Sequence, residues 1–303
     1  MRGRLGVIFG FAAISLATAS PSVADSIIFS TGNPDGLMAM ATQSGSGGQT
    51  QIEAADDFVL TQATSITGAQ FTGLFVAGSG LSPFASNVVV EIYSVFPQNS
   101  DTGRTSGPPT FSTSLVPTRV NSPSDVSIAE RSSSAGSLSF NASILNPSFT
   151  ANNSVEPGGI HPKPGQTTGG SGPVTGQEVS ISVTFSTPFQ LAAGHYFIVP
   201  EVDLTNSGQF FWLSAAKPNP SFPSGQTDLQ TWIRDDALDP DWLRVGTDIV
   251  GGTTPPTFNA SFTLTGTSIT SVPGPIVGAG LPGLLAGFGA MLAWYRKRRA
   301  AAV

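Results

Sequence analysis

From Val179 to Phe185 the chain reads Val-Ser-Ile-Ser-Val-Thr-Phe, and Phe258, Ala260, Phe262 and Leu264 repeat the same spacing of two. Successive side chains of an extended strand point to opposite faces, so this spacing buries one face and leaves the other wet. Five further runs are short and rich in β-branched or aromatic residues: Asp57–Leu60, Ile66–Val76, Val88–Phe96, Tyr196–Val202 and Gln209–Leu213. Each is predicted to be a strand. Helical periodicity is nearly absent from the body of the chain.

Turn chemistry separates these runs. Asn33-Pro34-Asp35-Gly36, Ser44–Gly48, Gly78-Ser79-Gly80, Pro108-Pro109 and Gly251-Gly252 supply the residues that bend a chain. Many short strands with such punctuation predict an all-β fold, an antiparallel β-sandwich of jelly-roll-like form. No fixed repeat length emerges, which argues against a propeller or solenoid. Phe96 to Ser127 reads as ordered surface loops. Residues 151–176 hold seven glycines and four prolines with few apolar side chains. That stretch is predicted to be a flexible insertion within one domain spanning 25–270.

The two ends differ from the body. Residues 276–295 carry no charge and are followed by Arg296, Lys297, Arg298 and Arg299. Twenty helical residues are about 30 Å long, the hydrocarbon thickness of a bilayer, so one C-terminal transmembrane helix is predicted, with 296–299 as its basic stop. At the N-terminus Arg2 and Arg4 precede the apolar run Leu5–Leu16, and Ser22 and Ala24 are small. This is the form of a secretory signal peptide over 1–24, read by the Sec machinery and cut by signal peptidase after Ala24. The basic tetrad stays on the cytoplasmic side, which places the body outside, with membrane lipid as a neighbour.

The tail also resembles the PEP-CTERM family of bacterial sorting segments. Val272-Pro273-Gly274-Pro275, Leu281-Pro282-Gly283-Leu284, Trp294 and the cluster Arg296 to Arg299 match its order of features, with Gly274 where the family usually carries Glu. The resemblance covers 271–303. It implies an exported surface protein associated with exopolysaccharide and processed by the membrane protease exosortase. Two motifs inside the tail carry little. Gly278, Gly280 and Gly283 satisfy a dinucleotide fingerprint, but no strand precedes them and no acidic residue follows at the needed distance. Gly283 and Gly287 make a GxxxG pair that reads as loose helix composition or as a close helix contact.

Without the two ends, seven Lys and Arg remain against all 19 Asp and Glu, a formal charge of −12. Such a surface repels phosphate backbones and excludes nucleic acid as a partner. There is no cysteine, so no disulfide or redox dithiol exists, and two histidines cannot build a zinc cage. No cofactor is expected, and a bound metal would need oxygen ligands.

Asp235, Asp236, Asp239 and Asp241 lie within seven positions. Carboxylates this dense repel one another unless solvated or neutralised, and calcium accepts such ligands in loops. The spacing departs from the EF-hand, and a solvated turn partly neutralised by Arg234 and Arg244 is the alternative. Trp232 and Trp242 flank the loop. Exposed indoles would suit sugar rings, whereas most tryptophans in a sandwich are buried. His195 could act as a base, yet no GxSxG elbow supplies a serine, and His161 sits in the Gly/Pro-rich stretch. Carboxylate pairs such as Asp56-Asp57 or Glu201 and Asp203 could cleave glycosides only at a separation that sequence does not fix. No catalytic residue is assigned. The expectation is a non-enzymatic structural or adhesive module of the cell surface, the alternative a carbohydrate-binding module with structural calcium, and exopolysaccharide the partner in both.

Overall fold

The structure, a computed structural model, describes residues 25–77, 84–104, 111–160, 167–220, 222–269, 287–294 and 296–298. Strands make up 54% of it, in two sheets, one of them curled into a half-barrel. Sheet 1 has nine strands: β1 (Ser26–Ser30), β2 (Pro34–Ala41), β5 (Thr64–Val76), β8 (Leu138–Ala151), β9 (Asn153–Val155), β10 (Val174–Leu191), β12 (Gln209–Ala215), β15 (Asn259–Ala260) and β16 (Phe262–Ser268). Sheet 2 has seven: β3 (Gln43–Ser44), β4 (Gln51–Leu60), β6 (Ala85–Val95), β7 (Pro123–Ser132), β11 (Gly194–Leu204), β13 (Trp232–Asp235) and β14 (Leu243–Arg244). All seven predicted runs fall on strands.

β5 is the backbone of sheet 1. One side pairs with β10 along nearly its whole length, and the other pairs with β16 at one end and β12 at the other. This fork requires glycine at its crowded point: a Cβ on Gly73 would lie 2.3 Å from the Phe210 ring and 2.5 Å from the Phe211 carbonyl oxygen. Sheet 2 runs β14-β13-β4-β11-β6-β7. Between the sheets Phe29, Phe58, Phe71, Trp212 and Phe262 are buried. Phe29 of β1 stacks on Phe262 at 5.5 Å and tilts against Phe58 of β4 at 6.2 Å, which ties the sheets together.

Four expectations change. The first concerns the membrane span over 276–295. The one α-helix among the described residues is 12 residues long, and it is neither long nor apolar enough to cross a bilayer. It holds 287–294 of the expected span and runs on into Arg296, Lys297 and Arg298, whose charges lower its hydropathy. The rest of that span, the motif at 272–275 and the signal segment 1–24 lie outside the described residues. By composition the 20-residue run is a poor helix former, with five glycines and Pro282.

Second, one of the two sheets is curled into a half-barrel, a departure from the jelly-roll-like sandwich expected. Third, β2 and β9 pair in parallel. Fourth, the Gly/Pro-rich stretch is not structureless where it is described. Ala151, Val155, Ile160 and Val174 are buried, the Ser171 N–H donates to the Ser154 carbonyl at 2.8 Å, and Asn153 Nδ2 donates to the Gly169 carbonyl at 2.7 Å.

Candidate functional site: a carboxylate cavity on sheet 2

Alternation along β11 sends Tyr196, Ile198, Val202 and Leu204 toward the main core. It sends His195, Phe197, Val199, Glu201 and Asp203 to the outer face of sheet 2. Phe197 registers with Asp57 of β4 and Tyr93 of β6, and Val199 with Glu91, so these side chains share that face. Loops cover it: Ala55, Tyr93, Phe197, Val199, Leu229, Trp232 and Trp242 form a second, smaller core there. Carboxylates line both ends of this small core, and each end therefore holds buried acid groups.

At one end Glu53, Glu91, Tyr93 and Arg234 meet below a cavity of about 290 Å³, whose rim is formed by Gln51, Asp125, Ser127, Asp235, Asp236 and Asp239. The Arg234 guanidinium is bonded to Glu53 and to Asp239 at 2.8 Å, and it lies over the Trp242 ring at 4.2 Å. Tyr93 Oη lies 2.8 Å from a carboxyl oxygen of Glu53 and 2.8 Å from one of Glu91, and it accepts from Arg234 Nη2 at 2.9 Å. One hydroxyl has one proton, so it satisfies only one of the two glutamates as a donor. The other can bond to that hydroxyl only by donating a proton of its own.

Electrostatics select which one. Burial pushes Glu53 up, but the charge and hydrogen bond of Arg234 outweigh it and hold its pKa below the ordinary value. Glu91 has no such partner: burial, then its hydrogen bond to Glu53 and the charge of that group, raise it to about 7. Tyr93 is pushed up by burial and by the Glu53 charge, so it stays a phenol. Behind them Glu201 accepts from Gln51 Nε2 at 2.8 Å and is raised well above the ordinary range by burial and then by Glu53. The cluster is an ionised carboxylate beside one that titrates near neutral pH, facing a polar cavity. Such a pair donates and accepts protons and offers fixed hydrogen-bond partners to hydroxyl groups.

The four aspartates proposed for calcium do not converge. Asp235 Oδ1 accepts the N–H groups of Ala237 and Leu238, Asp236 Oδ2 accepts that of Gln51 at 3.0 Å, and Asp239 is paired with Arg234. Asp241 is buried apart from them, bonded to Arg104 at 3.0 Å, Thr113 at 3.2 Å and Ser112. Among the described residues no three His, Cys, Asp or Glu side chains are grouped to hold a metal. Trp232 and Trp242 are each only 2% exposed, so neither offers a face to a sugar ring. They are core of the outer face.

At the opposite end His195 Nε2 contacts Asp57 Oδ2 at 2.6 Å, and the Leu229 N–H donates to the same oxygen at 3.1 Å. Burial raises the Asp57 pKa, partly offset by the bond and charge of His195. Asp56 points the other way, into the interior. It is raised well above the ordinary range by complete burial and then by Asp57, with the Ala260 N–H its counterweight. One oxygen of each carboxylate has no partner. Asp203, in turn, is held by Ser44, Ser46 and Asn87. The pairs Asp56-Asp57 and Glu201/Asp203 are thus separated by the pleat or by their own partners.

Sequence reasoning missed Glu53, Glu91 and Tyr93 as a unit, because their contacts join β4, β6 and β13. One signal was present: Glu91 interrupts Val88-Val89-Val90 and Ile92, and Glu201 sits between Pro200 and Val202, each a charge inside an apolar strand. Buried charges are rare unless paired. No protein-family model, curated protein or solved structure matches this chain.

Proposed function

We propose that the chain is an exported bacterial envelope protein whose β-body serves as a structural or adhesive module, sorted through its C-terminal segment. One observation carries the reading. β16, the last strand among the described residues before the tail resembling PEP-CTERM segments, is inserted between β1 and β5 and hydrogen-bonded to both. Tension applied through the C-terminal segment therefore has to shear two antiparallel ladders at once, the arrangement expected of a body attached at that end. The acidic surface and the absence of disulfides fit a core-stabilised extracytoplasmic domain. The test is a reporter enzyme, active only outside the cytoplasm, fused after Ser268: activity in intact cells is expected, and activity confined to a cytoplasm-specific reporter defeats the proposal. Mass spectrometry of the native C-terminus then reads exosortase processing directly.

A second reading, a carbohydrate-binding module, is favoured by the cavity at Glu53 and Glu91, since rigid carboxylates accept from paired sugar hydroxyls. Exopolysaccharide is the matching ligand class. A glycan array on the body should give signals lost in Glu53→Gln; a blank array removes this reading and leaves the first untouched.

A further inference from the structure

One free margin of sheet 1, at β8, has no role in either reading. Among the described residues β8 pairs on one side with β10 and has no strand on the other over its first half. Its register sets Phe140 opposite Val183, Ala142 opposite Ile181 and Ile144 opposite Val179. Those three β10 residues are buried. Cross-strand partners share a face, so the core-facing apolar surface continues onto β8. There it loses its cover: Phe140 is half-buried, Ala142 exposed and Ile144 60% exposed. The margin is an uncovered apolar ledge beside a row of unpaired backbone groups, a template for strand addition.

Charge decides what covers it. Every residue from Ser132 to Val155 is uncharged, while the body as a whole carries −12. Copies with that charge repel except where neutral surface meets neutral surface. We infer that β8 pairs with β8 of a second copy of this chain, antiparallel about a two-fold axis at Asn141. In that register Leu138 faces Ile144 of the mate and Phe140 faces Ala142, so the two ledges join into one apolar strip. An isologous contact of this kind closes on itself and makes a dimer. The register irregularity after Ile144 and the missing N–H of Pro147 confine the pairing to residues 138–144.

The absence of cysteine makes the test direct. Asn141 is exposed, and in the full chain Asn141→Cys places one thiol on the axis, within disulfide reach of its mate. Mild oxidation should cross-link it many-fold faster than the exposed control Val126→Cys. Ser139→Cys alone should stay slow, whereas a mixture of Ser139→Cys and Ser143→Cys chains should cross-link, because those two positions face each other across the axis. Ile144→Lys, at an exposed site that leaves the melting transition in place, should slow Asn141→Cys at least tenfold, and added salt should accelerate it. Cross-linking no faster than the control, or indifferent to Ile144→Lys, overturns the inference. The result does not depend on where the chain resides, so it is independent of the export test.

Discussion

Burial of Glu91 beside the Glu53 carboxylate raises its pKa, and this makes stability depend on pH. Glu91 titrates near 7 in the fold, against an ordinary 4.5. Its folded pKa is raised, so its contribution is complete below the unfolded value and is lost as pH rises through about 7. Around it stand Glu53 on β4, Tyr93 on its own strand, Ser127 and the cross-strand Glu130 on β7, Glu201 on β11 and Arg234 on β13. Melting of the body should fall between about pH 5 and pH 8, by at most roughly 1.4 kcal/mol per pH unit for this proton. Glu91→Gln should reduce the slope, with Glu201, Asp56 and Asp57 leaving a remainder of the same sign. A slope unchanged in Glu91→Gln would refute the assignment of the proton. At another residue, Gly73→Ala drives a Cβ into Phe210 and the Phe211 backbone, and chemical denaturation should report a loss of about 1–3 kcal/mol.

Among the elements, β13 is short yet holds the outer face together. Its Arg234 is almost fully buried and links Glu53, Tyr93 and Asp239 while stacking on Trp242. Removing one partner of such a group leaves an uncompensated buried charge. Arg234→Met should therefore cost about 3–5 kcal/mol in urea denaturation, and adding Glu53→Gln should recover part of it. Strands were legible wherever alternation was strong, as in β10 and β16. Others were not, and in two of them turn chemistry dominates the sequence. Asn33-Pro34-Asp35-Gly36 looks like a turn, but Pro34 opens β2, where a missing N–H is tolerated, and Asp35 Oδ1 accepts from the Leu37 N–H and the Ser214 hydroxyl. β8 contains Asn141, Asn146 and Pro147, and its partner β10 supplies the ladder that local propensity lacks.

For the whole molecule the decisive fact is how the two halves of the chain interleave. β5 comes from the first half, and its partners β10, β12 and β16 all come from the second. A protease site inserted at residue 163 should therefore yield two fragments that co-elute on gel filtration and part only in denaturant. Fragments that separate under native conditions and stay folded would mean two domains.

By itself the sequence determined the strand character of the body, its acidity and the lack of covalent staples, since alternation, charge and cysteine content are local or additive. It also carries the tail motif on which the proposed location rests. Only the tertiary structure decided which acids meet, because Glu53 and Arg234 are 181 positions apart and a strand pattern does not name its partner. It buried the two tryptophans, dispersed the four aspartates of the loop and left the apolar ledge of β8 uncovered. A period of two fixes which face a side chain takes, while long-range pairing fixes what that face touches.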